Sequence, residues 1–205
     1  MKVRMLFMSF VAMLLAACSE APVQDNNVKS FDEVMTTRRS IRNYDASKTI
    51  SQAEVRELLL AVQDAPSWAN VQSTRYYVAM SEEKVVAVQE LIGDNNKKNV
   101  QGAPVLMVST FKNGQSGFFR GVATNEIGDG WGAYDNGLSN CYLILKAREM
   151  GFDTLIMGMR DGEALRALFN IPTDETVMAV ISLGYRASDP NRPARHELDE
   201  MVKFY

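Results

Sequence analysis

Arg38, Arg39 and Arg42 fall within five positions around Ser40 in the stretch TTRRSIRNYD, residues 36–45. Guanidinium is a flat, permanently charged fork that grips phosphate or carboxylate through two parallel bonds, so such a group beside a hydroxyl can act as an anion receptor. The same run of charge is also what a solvated surface presents. The chain as a whole is acidic, with 22 basic and 25 acidic residues and a formal net charge of -3. That balance excludes a general affinity for nucleic acid and makes a cationic cluster notable where it acts against the net field. A second polar group lies in DAPSWANVQSTRYYV, residues 64–78. There Pro66 stops a helix, and Ser67, Asn70 and Gln72 are delivered just before a strand. Their donors and acceptors suit a ligand with hydroxyls or heterocyclic N–H and C=O edges, or a turn whose side chains bond their own backbone.

Other chemistries find little support. His196 is the only histidine and the two cysteines are far apart, so no zinc spacing exists and a Ser-His-acid triad would rest on one residue. His196 is expected at the surface near the C-terminus. GFFRG (117–121) and GDGWG (128–132) contain glycines, but neither follows a strand and opens a helix, as phosphate-cradling loops do.

The elements that must position these groups are readable from period and caps. Ser30-Phe-Asp-Glu33 and Ser51-Gln-Ala-Glu54 have capping-box spacing and open two amphipathic helices. Thr74–Met80, Pro104–Thr110, Thr154–Met159 and Val177–Tyr185 read as strands. Ser81–Ile92 and Asp161–Phe169 read as helices, and Asp135 is expected to cap a long helix that ends before Gly151. On that helix Leu138, Cys141, Tyr142 and Leu145 share a face, which assigns Cys141 to the core. Phe111–Trp131, with five glycines, reads as a long loop. This order gives one domain with a sheet of about four or five strands covered by helices on both faces.

The N-terminus reads as an address. Met1–Arg4 is basic, Met5–Ala17 is an apolar run broken only by Ser9, and Leu15-Ala16-Ala17 precede Cys18. Thirteen residues are short for a bilayer span and fit a cleaved signal. Leu15–Cys18 resembles the lipobox of bacterial lipoproteins, which implies a diacylated Cys18. Residues 1–17 are then a signal peptide, 18–29 a lipidated N-terminus and polar tether, and 30–205 the domain. The expected localisation is exported and lipid-anchored to a bacterial membrane, on the periplasmic or cell-surface side. Loss of Lys2 and Arg4 takes the formal charge from -3 to -5, and Cys141 is left without an internal disulfide partner.

TTRRSIRNYD, APSWANVQ, NNKKNVQGAPVLMVS, DNGLSNCYLILKAREMGFDT and FNIPTDETVMAVISLGY occur in this order, and together they resemble the nitroreductase family of FMN-dependent oxidoreductases over about Phe31–Val202. The resemblance implies an α+β fold, a three-layer α/β/α sandwich with a mostly antiparallel central sheet, in an intertwined homodimer. It implies that Arg38, Arg39 and Ser40 hold the phosphate and ribityl chain of FMN, and that Arg42 points to the pyrimidine edge of the flavin. Pro66, Ser67, Trp68 and Asn70 would reach the flavin from the second subunit, with Trp68 where a small residue is common. Asn95 and Lys98 would contact the ring near N1, O2 and N3, Gly158 would lie beside N5, and Arg195 would close on the phosphate. Pro193 stands where the family often has a second base, and Gln72-Ser73-Thr74 replaces its usual Gln-Pro-aromatic sequence. The implied activity is ping-pong transfer of hydride from NAD(P)H, or electrons from another donor, through flavin N5 to nitro, quinone or related small-molecule acceptors. No protein acid or base is required, and no catalytic side chain is assigned. Two other readings stay open: a lipid-anchored binding or scaffold module without turnover, and an FMN enzyme of another reaction type such as reductive dehalogenation.

Overall fold

The computed structural model describes residues 29–205. The signal segment, Cys18 and all of the tether but Lys29 lie outside the described residues. In chain order the elements are α1 (Phe31–Thr37), α2 (Gln52–Val62), β1 (Thr74–Ala79), α3 (Glu82–Gln89), α4 (Asp94–Asn99) and β2 (Val105–Lys112). They continue with β3 (Phe118–Phe119), β4 (Val122–Ala123), α5 (Gly130–Glu149), β5 (Asp153–Met157), α6 (Gly162–Phe169), β6 (Glu175–Gly184) and α7 (Leu198–Met201). The central sheet has the order β1-β2-β6-β5, and every pairing in it is antiparallel.

β2 and β6 are buried on both faces, which is why their sequences run apolar without alternation. Leu106 and Val108 point into a core with Val85 and Val88 of α3 and Leu165 of α6. Val105 and Met107 point the other way, to Val55, Leu58 and Val62 of α2 and Leu143 and Ala147 of α5. Successive side chains of one strand thus serve two helical layers, and the result is the three-layer α+β sandwich. Both serine caps form: the Ser30 hydroxyl accepts from the Glu33 N–H, and Ser51 with Glu54 makes the complete reciprocal box. His196 is exposed beside Glu200. Among the described residues no helix is long and apolar enough to cross a membrane.

Three expectations change. The long helix begins at Gly130, with Asp129 at the N-cap position making no side-chain capping bond, so Asp135 is inside it and buried. Its buried face is Asp135, Asn136, Ser139, Asn140, Leu143 and Ala147, whereas Cys141 and Tyr142 are exposed. Cys141 is therefore no core residue in the protomer. The 111–131 segment is only partly loop, since β2 runs on to Lys112 and β3 and β4 pair as a small hairpin.

Candidate functional site

The arginine segment leaves α1 at Arg38 and runs along the free edge of β5. Ser40 bridges Thr154 in parallel, and the Ile41 N–H donates to the Thr154 carbonyl at 3.0 Å. Tyr44 fixes the other end. Its ring is buried and its hydroxyl bonds Ser182 Oγ at 2.7 Å. Burial pushes its phenol well above the usual range, with the Ser182 bond acting the other way. Gly184 is required here, because a Cβ would stand 2.6 Å from the Tyr44 ring. Pinned at both ends, the segment leaves Arg38 and Arg39 half-buried and Ser40 and Arg42 exposed.

None of Arg38, Arg39, Arg42 and Arg195 has an ion-pair partner among the described residues. Arg39 Nη1 donates to the carbonyls of Thr36 and Arg38 at 2.7 and 2.8 Å, and its buried Nε has no partner among the described residues. Arg42 Nη1 donates to Ser40 O at 3.3 Å. Such a group of cations, whose side-chain bonds run only to neutral carbonyls, is a fit for a phosphate-bearing ligand.

The C-terminal arm returns to the same place. The Ala187 N–H donates to Asn43 O at 3.0 Å, and Ser40–Asn43 with Ser188 and Pro190 line a cleft of about 160 Å³. Further along the arm, exposed Arg195 donates to Pro193 O and Ala194 O at 3.0 and 3.1 Å. No hydrogen bond joins it to Arg38, Arg39 or Arg42.

One buried carboxylate organises both segments, and no sequence motif announces it. Asp153 opens β5 and accepts from Arg186 Nε at 2.7 Å and Nη2 at 2.5 Å, with Arg148 Nη1 at 3.6 Å. Arg186 Nη2 also donates to Thr37 O at 3.3 Å, and Arg148 Nε to Thr37 Oγ1 at 3.1 Å. Thr37 immediately precedes Arg38, and Arg186 opens the C-terminal arm. The bond to Asp153 raises the already high pKa of Arg186. A paired acid and base spaced 33 residues apart carry no local signal.

At the far end of β5 a second group gathers. Gly158 is exposed just past the strand, and Asn96 Nδ2 donates to Ile92 O at 3.0 Å and Met159 O at 3.2 Å. These bonds tie α4 to the residue after Gly158, so exposed Asn95 and Lys98 share its neighbourhood.

Pro66–Asn70 is not part of this gathering. It lies at the other edge of the sheet, before β1. Thr74 pairs Phe111, which pairs Thr176 of β6, whereas Ser40 pairs Thr154, which pairs Leu183. Four strand spacings and seven residues along β6 put the two segments about 19 Å apart across the sheet and roughly 23 Å apart along it. This loop is unusual in its backbone: Ala69, Asn70 and Gln72 have φ of 41°, 58° and 50°. Left-handed non-glycine residues cost about 1–3 kcal/mol each and persist only where the surroundings enforce them. Here the Gln72 N–H donates to Ser67 Oγ at 3.0 Å and the Trp68 N–H to Asp135 Oδ2 at 2.9 Å. A cavity of about 310 Å³ opens beside it, bounded by Ser67, Gln72, Arg75, Tyr76 and Ser139.

Comparison with known proteins gives a consistent result. Residues 35–185 match the family model described as "Nitroreductase family". YdgI of Bacillus subtilis (strain 168), provisionally named an NAD(P)H nitroreductase, is 27% identical over 202 residues, covering 85% of this chain and 97% of its own. A crystal structure from Exiguobacterium sibiricum 255-15, provisionally named a nitroreductase and solved in complex with FMN, superposes with a TM-score of 0.76 at 21% identity, over 86% of this chain and 98% of that one. One from Staphylococcus epidermidis ATCC 12228, provisionally named an NAD(P)H:FMN oxidoreductase, gives 0.74 at 21% identity, over 87% and 97%.

Proposed function

The chain belongs to the nitroreductase family, and from that premise we propose that it is an FMN-dependent oxidoreductase taking hydride from NAD(P)H and reducing nitro, quinone or related acceptors in alternating half-reactions. The observation that carries this reading is the unpaired guanidinium group along the β5 edge, held by Thr154, Tyr44 and Asp153. Bound FMN supplies the hydride-carrying ring. The protein's part is orientation and charge. Arg38, Arg39 and Arg195 bind the phosphate through charge-assisted bonds, each worth on the order of 1.5–3 kcal/mol. Ser40 bonds the ribityl hydroxyls, and the exposed end of β5 at Gly158 leaves an open approach for donor and acceptor. Arg42 and Lys98 set positive charge at the pyrimidine edge, which favours electron uptake there.

The site belongs to a homodimer in this reading. Pro66, Ser67, Trp68 and Asn70 stand across the sheet from Arg38 and Gly158, so they serve the partner's cofactor. Two observations support the dimer: the outward stripe of α5 around Cys141 and Tyr142, and an apolar groove of about 470 Å³ between α1, α2 and α5 lined by Phe31, Val34, Tyr142 and Leu145. Export and lipidation at Cys18 complete the proposal, with the membrane reached through the lipid anchor only.

An anaerobic titration tests the function. The purified protein should be yellow and should bleach on addition of NADH or NADPH, then regain colour when a quinone or nitroaromatic is added. A colourless protein that takes up no FMN would overturn the reading, and a yellow protein inert to both nicotinamides would reduce it to a flavin-binding module.

A further inference from the structure

Asp135 is a buried carboxylate with no ion-pair partner among the described residues. It sits in the second turn of α5, 2% exposed, and a single oxygen, Oδ2, takes two bonds: from the Trp68 N–H at 2.9 Å and from Ser116 Oγ at 2.7 Å. Ser116 Oγ is in turn 2.9 Å from Ser73 Oγ, and both serines are buried. One side chain thus holds the loop before β1 and the segment before the β3–β4 hairpin onto one helix. An asparagine or serine would satisfy neutral donors without the cost of desolvating a charge. What the charge adds is stiffness, since bonds to a carboxylate are the stronger kind.

The loop it grips is the one with three left-handed residues, and the grip falls on Trp68, immediately before the first of them. The indole of Trp68 packs on Trp131 with centroids 4.9 Å apart, and Trp131 meets Tyr134 edge-on at 5.7 Å. Trp131 is itself fixed: its Nε1 donates to Asn125 Oδ1 at 3.0 Å, and it lies so close on Gly117 that a Cβ there would be 2.5 Å from Cδ1. Tyr134 remains exposed, so the row of rings reaches solvent. Asp135 stands one residue beyond Tyr134 on the same helix. Its bonds therefore set how far Trp68 leans on Trp131.

We infer that Asp135 is a positioning residue: through the Trp68 backbone it holds Trp68 and Trp131 as an aromatic wall that selects flat, ring-bearing acceptors. The acceptor half of this inference rests on the oxidoreductase reading above, while the geometric half does not. Ring faces favour flat partners through offset stacking and offer little to a compact ion. The wall should thus act on one class of oxidant and leave another untouched.

The test uses the FMN-loaded protein and Asp135→Ala, Asp135→Asn and Ser116→Ala, with near-ultraviolet circular dichroism of the coupled indoles and steady-state kinetics against a naphthoquinone and ferricyanide. With rates taken per bound FMN, since loosening the loop also weakens flavin retention, D135A should lose most of the indole couplet and raise the naphthoquinone KM by on the order of tenfold, with a much smaller change against ferricyanide. D135N should restore most of both signals, because the two bonds end on one oxygen and an amide oxygen can take its place with somewhat weaker bonds. If D135A does not fold, S116A is read instead, with the same direction and a smaller change. An intact couplet, an unchanged naphthoquinone KM, or an equal loss with both oxidants would overturn the inference. A parent protein that binds no flavin would sink the oxidoreductase reading, and the couplet in D135A and D135N would then decide the positioning role alone.

Discussion

Replacing Asp153 by alanine removes the one carboxylate on which both arginine-bearing segments hang. Its side chain is 1% exposed and holds Arg186 through two bonds of 2.7 and 2.5 Å, with Arg148 at 3.6 Å. Breaking a buried pair by deleting one partner costs about 3–5 kcal/mol, because the remaining charge stays desolvated. Arg186 keeps a second contact, to the exposed carboxylate of Asp189, so the lower end, about 3 kcal/mol, is expected. In a domain of this size each kcal/mol moves the melting midpoint by roughly 2–4 °C, so D153A should melt roughly 6–12 °C below the parent. Asp189→Ala should cost less than about 1 kcal/mol, as a solvent-screened pair does. D153A also frees Thr37 from Arg186, so FMN should bind more weakly although Asp153 makes no contact with it in the proposed site. Thermal unfolding by far-ultraviolet circular dichroism, paired with fluorescence titration of FMN at a temperature where the variant is folded, reads both effects. A D153A midpoint within about 2 °C of the parent, or D189A costing as much as D153A, would refute the reasoning.

Ser51→Ala should destabilise by about 1 kcal/mol at pH 7 by removing the α2 cap, measured by urea unfolding. Glu54 is held below the usual carboxylate range by the Ser51 N–H and hydroxyl, so its contribution is complete above the unfolded value and is lost as pH falls through the folded one. The stability gap between Glu54→Ala and the parent should accordingly close below about pH 4. Gly102→Ala should be strongly destabilising, by about 2 kcal/mol or more, because Gly102 has φ +79° and a Cβ would lie 2.5 Å from the Tyr44 carbonyl oxygen. Tyr77 is pushed up to about 12 by burial and then by its bond to Glu175. The fold therefore favours its neutral phenol, and stability should hold below about pH 10 and decline as pH rises through the folded value. Ultraviolet titration should show Tyr77 ionising late and Glu175→Gln bringing it down; all seven tyrosines titrating together near 10 would contradict this.

Local signals carried most of the fold. The serine caps of α1 and α2, the Asp161 cap of α6 and the apolar runs of β2 and β6 each declared themselves within a few residues. Helix α5 misled, for a physical reason. Its inward face is polar because Tyr76, Ser109, Thr110, Ser116 and the Trp68 backbone reach it from other elements. Its apolar stripe turns outward, so hydrophobic period pointed to the wrong side. The β3–β4 pairing spans two residues on each strand, too short to show a period. The arginine segment was legible as a cluster of charge. Asp153 was not, and Asp135 was read only as a helix cap, because the partners of both are distant in sequence.

In the proposed dimer each flavin site takes its phosphate grip from one chain and its Pro66–Asn70 loop from the other, which subunit mixing can reveal. One variant carries Arg38→Ala with Arg39→Ala, the other Ser67→Ala with Asn70→Ala, and each alone should retain little FMN. Co-expressed, random pairing makes about half the dimers mixed with one intact site each, so bound FMN should recover to roughly a quarter of the parent's. Recovery to that level is the predicted result; no recovery above the two variants alone would contradict a site shared between chains.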